Sequence, residues 1–296
     1  MTAHLKTYVV NLKRRADRRA QMERVLPPTW DVQFTSDWDG PMDGQAIDPD
    51  DLPGFGLYPW EVPSDNPWWS RPLKLGEIGC AISHWMAWQR AVTDAANPAL
   101  ILEDDVVLGE HFAVRLQSCL TRLWITDPRW DLLYLGRWAL DGEDRKVTDG
   151  IVQPGYSYCT FGYLLSPSGL RKLLGCGFER ALIPVDEFIP ALYMDHPRED
   201  IRSLYPKRLR AYALDPPLVT QLPKDEAGSD TEASAFVSGG RLLPGGRRLI
   251  RSGQLQGGDE PRPRYLMCLL AGQPRWWPRP GTSGSYRTTS STNCSR

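Results

Sequence analysis

The segment LGEIGCAISHWMAWQRAV, residues 75 to 92, and the run ALILEDDVVL, residues 99 to 108, together constrain the fold most. In the first, Ile78, Ile82, Trp85 and Trp88 or Gln89 recur at three- and four-residue steps, the period of one helix face beginning near Gly76. In the second, unbroken apolar residues read as a strand covered on both faces. That strand ends in Glu103, Asp104 and Asp105. Three like charges at a strand end repel one another and should face water, unless a cation, or a substrate bringing one, sits there.

The flanking sequence repeats this alternation. TYVVNL (7 to 12) is a short β-rich run, and RRADRRAQMERVL (14 to 26) follows at helical spacing, with Met22, Val25 and Leu26 as packing residues. After the acidic strand come a helix-like stretch from about Glu110 to Leu123 and a second apolar strand, WDLLYLG (130 to 136). YSYCTFGYLLS (156 to 166) is a further strand candidate, and PSGLRKLLGCG opens with proline and closes with glycine, as helices do. PVDEFIPALYMDHP (184 to 197) has an acidic entry to a short helix broken at Pro190, and RAYALDPPLV (210 to 219) is a last strand or edge segment. Strands alternating with helices of this length predict an α/β domain with a mostly parallel sheet covered on both faces.

Two segments stand apart. Asp37 to Pro72 is crowded with Pro, Gly, Asp and Trp and has neither period, so it reads as a long binding loop or lid. Trp60, Trp68 and Trp69 within it could stack on a sugar or an acceptor side chain, or anchor the loop on the core. From about Val237 the chain becomes Gly-, Arg-, Pro- and Ser-rich with little to pack except LMCLL (266 to 270), and a mobile tail over 238–296 is expected.

Composition narrows the function classes. A formal net charge of −1 argues against a global electrostatic grip on nucleic acid, so no nucleic-acid partner is expected; binding through the Arg-rich tail would have to be steeply salt-dependent. No apolar run reaches the length of about 18 residues that a membrane-spanning helix needs. The opening MTAHLKTYVVNL lacks the layout of a secretory leader, and a cytoplasmic setting is the expectation. The six cysteines, widely spaced with no CxxC pair, read as mostly buried thiols, and the NCS tripeptide at Asn293 carries no weight without a leader.

Carboxylates directly after a buried parallel strand lie at the carboxyl edge of the sheet, where open α/β folds bind ligands. Glu103 and Asp105, two residues apart, could both face a hard divalent cation, with Asp104 turned to a ribose or a backbone amide. The alternative is an acidic turn or helix cap.

NLKRRADR, LGEIGCAISHWMAW, ILEDD, WDLLYLGR, YSYCTFGYLLSPSGLRKLL, PVDEFIPALYMDHP and GSDTEAS follow one another here as in glycosyltransferase family 25, which the chain resembles over roughly Leu5 to Phe236. That family includes bacterial lipooligosaccharide galactosyltransferases and animal procollagen galactosyltransferases, and PVDEF, DHP and SDTE look closest to the collagen-modifying branch. The resemblance implies a GT-A type nucleotide-sugar-binding fold over residues 1–237, a UDP-sugar donor, UDP-galactose being expected, and Mn²⁺-assisted transfer. It implies inversion at the sugar, and hence a base for the acceptor proton. The acceptor would be a hydroxylysine of a collagen-like protein, or alternatively an envelope glycan such as lipooligosaccharide. A non-catalytic sugar-nucleotide or protein-binding module is the alternative from another class.

On this resemblance Glu103 and Asp105 would hold the metal, and Asp104 would contact ribose or support the site. Asp186 and Glu187 are the candidates for the base or for holding the acceptor, or else simply favour a helix N-terminus. Asn11, Arg14, Arg15, Asp17 and Arg18 would meet the nucleotide, with Asp17 on uracil or ribose and an arginine on diphosphate, unless RRADRR is only a wet helix face. Glu77 and His84 could share a helix face, His84 meeting metal or phosphate or else packing as a hydrogen-bonded core residue. Asp230 and Glu232 could close over the donor or assist the metal, or else form a solvated acidic turn. The animal collagen enzymes carry a leader, an upstream domain and a retention ending that have no counterpart here, so the acceptor need not be collagen.

Overall fold

The computed structural model describes residues 5–35, 54–140, 144–223 and 228–237. The expected mobile tail 238–296, with LMCLL and Asn293, and residues 37–53 of the long loop lie outside the described residues.

Chain order is β1 (Lys6–Val10), α1 (Ala16–Val25), β2 (Asp31–Thr35), α2 (Leu75–Thr93), β3 (Ala99–Glu103), β4 (Val106–Leu108) and α3 (Phe112–Thr126). There follow β5 (Leu132–Ala139), β6 (Arg145–Thr148), β7 (Ile151–Gln153), β8 (Ser157–Leu165), α4 (Pro167–Leu174) and α5 (Val185–Ala191). The last elements are α6 (Glu199–Leu204), β9 (Ala211–Leu214), β10 (Val219–Gln221) and the single turn α7 (Asp230–Ala233). Local chemistry explains the main helix starts. The α4 N-terminus has Pro167 at its first position, and Ser166 Oγ accepts from Gly169 N at 3.1 Å. At α2 the Glu77 carboxylate accepts from Lys74 N at 2.8 Å and is held by Arg71 at 2.6 Å.

Eight strands form one sheet in the order β2-β1-β3-β8-β5-β9-β7-β6. Alternation of side chains along each strand divides the core in two. Tyr8, Ile101, Tyr134 and Tyr163 point to the face covered by α2, α4 and α5, through Ile78, Ile82, Leu170, Leu173 and Phe188. Val9, Leu100, Leu102, Leu133 and Leu164 point to the other, covered by α1 and α3 through Met22, Leu116, Leu120 and Leu123. The α/β class and the helices on both faces therefore agree with expectation.

The direction of the strands does not. β1 is parallel to β2 and to β3, and β5 to β9, but β8 runs antiparallel to both β3 and β5, as do β7 to β9 and β6 to β7. The sheet is mixed rather than mostly parallel. Between β5 and β8 the chain makes the β6–β7 hairpin where a helical crossover would have enforced a parallel pair. A strand buried on both faces, like β8, looks the same in sequence whichever way it runs.

A separate antiparallel ribbon of β4 and β10 continues from the acidic turn, and it crosses the sheet very closely. A Cβ at Gly136 would lie 2.0 Å from Val219 O and 2.4 Å from Phe161 Cε2. Within the loop, Trp60 and Trp69 are 3% and 8% exposed, so they anchor it on the core. Trp68 is stacked under Arg71, 4.8 Å from the ring centre.

Overpacking at a backbone contact has no soft neighbour to absorb it, so Gly136→Ala should lose at least about 1–3 kcal/mol. A urea unfolding midpoint unchanged from the parent would show that β10 is free to move away.

Candidate functional site

The parallel neighbours β1 and β3 end side by side, Val10 opposite Glu103. Their carboxyl ends open into a cavity of about 250 Å³. One wall is the acidic turn Glu103, Asp104, Asp105, and another is the β1–α1 connection and first turn of α1, with Arg14 and Arg18. The first turns of α2 contribute Gly76, Gly79, Cys80 and Ser83, and the segment around α7 contributes Ser229, Asp230, Thr231 and Ser234. This is the crevice that open α/β folds use, at the carboxyl edge of parallel strands and against a helix N-terminus.

The acidic turn is held from behind. Asp104 is 5% exposed; one carboxylate oxygen accepts from Asn11 Nδ2 at 2.7 Å and the other from Arg18 Nη1 at 2.8 Å. Arg18 also lies 3.4 Å from Asp105, whose carboxylate accepts from Gln221 Nε2 at 3.2 Å. Burial raises Asp105, and Arg18 offsets only part of that rise. Glu103 is pushed well above the ordinary carboxylate range by burial first, then by Asp105, Asp186 and Asp104. Burial, followed by the charges of Glu103, Asp186, Glu77 and Asp105, pushes the Cys80 thiol up.

The segment 228–237 straps the cavity to α2 and α1. Ser234 Oγ accepts from Gly76 N at 2.9 Å, and Asp230 pairs with Arg15 at 2.7 Å and Arg14 at 3.2 Å. A Cβ at Gly76 would meet Thr231 Cα at 2.5 Å, so only glycine permits this approach. Glu232 does not line the cavity, although its backbone oxygen accepts from Lys74 Nζ at 2.5 Å.

Of the residues expected from sequence, Glu103, Asp104, Asp105, Arg14, Arg18 and Asp230 converge on this cavity. Asn11 acts one layer behind, through Asp104. Asp17 is 65% exposed, paired with Arg15 and held down to about 2 by that guanidinium. Glu77 shapes the start of α2. His84 is fully buried, its Nδ1 2.8 Å from Tyr163 OH, and burial holds its imidazole down to about 3.

The adjacent Asp186 and Glu187 part company. Asp186 Oδ1 accepts from Thr160 N at 3.0 Å and Thr160 Oγ1 at 2.8 Å; burial raises its pKa, and its charge is felt at Glu103. Glu187 turns into the core, where Trp69 Nε1 donates at 3.1 Å, Tyr158 OH at 3.2 Å, His196 Nε2 at 2.7 Å, and Tyr156 OH as well. Arg198 N donates to His196 Nδ1, which places the imidazole proton on Nε2. Burial alone would raise Glu187, but these donors, His196 foremost, outweigh it and leave the carboxyl below its usual range.

Gln221 and Cys80 join the site without having been singled out by the sequence patterns. Gln221 follows a proline-rich turn with no motif around it, whereas Cys80 precedes His84 by one helical turn, a spacing that is open to view.

An α/β crevice lined by carboxylates facing arginines at a helix N-terminus has the donor groups that could hold a phosphorylated or metal-linked ligand. Residues 4–140 match glycosyltransferase family 25 (LPS biosynthesis protein), and the chain belongs to that family. The matched stretch contains the β1–α1 connection, α2 and the acidic turn; Asp186, Glu187 and Asp230 lie beyond it. A Bos taurus protein described as a probable inactive glycosyltransferase 25 family member 3 is 34% identical over 245 residues, covering 77% of this chain and 39% of that protein. Procollagen galactosyltransferase 1 of Danio rerio is 34% identical over 236 residues, covering 77% of this chain and 38% of that one. The chain thus spans less than two fifths of the length of these relatives. Among solved structures, a mannose-1-phosphate geranyltransferase from Thermus thermophilus aligns over 72% of this chain and 74% of its own at 11% identity and a TM-score of 0.33, a likeness too remote to bear on function.

A carboxyl whose folded pKa is raised loses stability as pH rises from the ordinary carboxylate range through that raised value. Glu103→Gln, neutral throughout, should therefore gain thermal stability over the parent at about pH 8 and little at about pH 5, in metal-free buffer. Glu187→Ala strands several buried donors and should lose at least about 3 kcal/mol; a variant melting with the parent would mean that water replaces the carboxylate.

Proposed function

We propose that the chain is a metal-assisted, inverting glycosyltransferase that moves galactose from UDP-galactose to an acceptor hydroxyl. The observation that carries this is the convergence of Glu103, Asp104 and Asp105 with Arg14 and Arg18 on one cavity at the ends of two parallel strands. Family membership implies a sugar donor and an acceptor.

The donor set suits a hard divalent cation. Glu103 and Asp105 offer carboxylate oxygens to the cavity, and Glu103 is raised by burial and then by its neighbours' charge, a repulsion that a cation would relieve. Held there, Mn²⁺ would supply positive charge to the departing diphosphate. Arg14 and Arg18 add guanidinium donors to the same anion from the facing wall. Asp104, fixed at both oxygens by Asn11 and Arg18, keeps the turn rigid so that its neighbours are aimed before the donor arrives. Asp186 is the better candidate for the base: burial raises its pKa, and it lies within electrostatic reach of Glu103. Glu187 supports the fold around it.

Relatives named as procollagen galactosyltransferases favour a hydroxylysine acceptor, and the family's LPS description favours an envelope glycan. The relatives named as inactive favour a non-catalytic module that kept the donor crevice. Purified protein with a panel of UDP-sugars, with and without Mn²⁺, on hydroxylysine peptides and on glycans, separates these. We expect Mn²⁺-dependent transfer from UDP-galactose, falling by about 100-fold or more in folded Asp105→Ala and Asp186→Asn. Full turnover in Asp105→Ala would sink the metal assignment, and no turnover with any donor would favour the non-catalytic module.

A further inference from the structure

We propose that Cys80, His84 and Glu103 form a binding site for Zn²⁺ under the donor cavity, distinct in ligand chemistry from the all-oxygen cluster above it. Cys80 and His84 lie one turn apart on the same face of α2, and Glu103 reaches them from the end of β3. Their ligating atoms all lie within 4.8 Å of one another. A tetrahedral zinc site with metal–sulfur bonds of about 2.3 Å and metal–nitrogen or –oxygen bonds of about 2.0–2.2 Å separates its ligands by roughly 3.3–3.8 Å, so a contraction of about 1 Å suffices. His84 Nε2 and Glu103 Oε1 already stand 3.5 Å apart.

The imidazole points to a ligand independently. His84 is 0% exposed and its Nε2 has no hydrogen-bond partner, a rare state for a buried polar atom. The opposite nitrogen is anchored: Nδ1 lies 2.8 Å from Tyr163 OH, which also accepts from Trp88 Nε1 at 2.8 Å. The phenol oxygen has two lone pairs. In the tautomer protonated at Nδ1, which a metal on Nε2 would select, the phenol oxygen accepts from both Trp88 and Nδ1, and the lone pair of Nε2 is free for a ligand beside Cys80 and Glu103. An outer hydrogen bond of this kind sets ring orientation at zinc sites.

One sulfur, one imidazole and one carboxylate select zinc over magnesium or manganese. Cys80 and Glu103 both line the cavity, so the fourth position opens toward it and takes water or a phosphate oxygen. On binding, the Cys80 thiol releases its proton to solvent, and bonds form from Sγ, Nε2 and a Glu103 oxygen; no oxidation occurs. Because Glu103 is shared with the oxygen cluster, zinc here withdraws one ligand from the hard cation. That consequence, unlike the zinc site itself, rests on the transferase proposal.

Titrating the metal-free full chain with Co²⁺ as an optical probe tests the site. The expected result is a thiolate-to-cobalt charge-transfer absorption that saturates at one equivalent, is displaced by equimolar Zn²⁺ and survives an excess of Mn²⁺. It should vanish in Cys80→Ser and need at least about 10-fold more Co²⁺ in His84→Gln, both checked for native circular dichroism. Should His84→Gln fail to fold, Glu103→Gln, at the open end of the site, takes its place with the same expectation. Co²⁺ binding without thiolate absorption, or absorption that persists in Cys80→Ser, would overturn the proposal. A chain that turns over no sugar donor would still give this spectrum, so the two proposals fail separately.

Discussion

Arg18 is what lets a buried strand end in three acids. It is 11% exposed and lies within 2.8 Å of Asp104 and 3.4 Å of Asp105, one guanidinium set among Glu103, Asp104, Asp105 and the more distant Asp186. One positive charge cannot neutralise them all. The shortfall falls on Glu103, which burial and the surrounding acids push well up while Arg18, engaged by Asp104 and Asp105, offsets only part of the rise. The fold thus stabilises the turn without satisfying it. A fully paired acidic turn would be inert, whereas an unpaired one would not stay at the end of a buried strand. Asn11 completes the arrangement by tying Asp104 to the β1–α1 connection, which links the acidic wall to the arginine-bearing one.

The same logic governs the opposite rim. Arg14 and Arg15 are paired with Asp230 from the strap, which approaches α2 closely only because residue 76 is glycine. A phosphorylated ligand between these walls would meet arginines already facing a carboxylate, and would exchange one oxyanion for another rather than add a new ion pair. Part of the attraction it gains is offset by the contact it replaces. Charge at this rim is therefore better suited to placing a ligand than to binding it tightly.

Much of this is legible in the sequence, and the failures have identifiable causes. The period of α2, the apolar run of β3 and the position of the acids at its end follow from side-chain alternation and spacing alone, and they fix the location of the crevice. Strand direction does not follow, because β8 is buried on both faces and its antiparallel course depends on the hairpin before it. The ribbon of β4 and β10 leaves no pattern because each strand has only three residues, too few for a period to register. Gln221, at the end of β10, is hidden for the same reason. Cys80 is visible one turn before His84, but nothing in the sequence says that Glu103 comes to meet that face.

Asp186 and Glu187 show the limit most sharply. Both are acids in the first turn of one short helix, and local chemistry treats them alike. Successive helical residues point about 100° apart, so neighbours cannot share a surrounding. One turns to Thr160 and is raised by burial; the other turns to His196, Trp69 and two tyrosines and is lowered despite burial. A carboxylate holding four donors has its lone pairs committed and a low affinity for a proton, the reverse of what a base requires. The division of labour within this pair is therefore a property of the tertiary fold, imposed by residues up to 118 positions away.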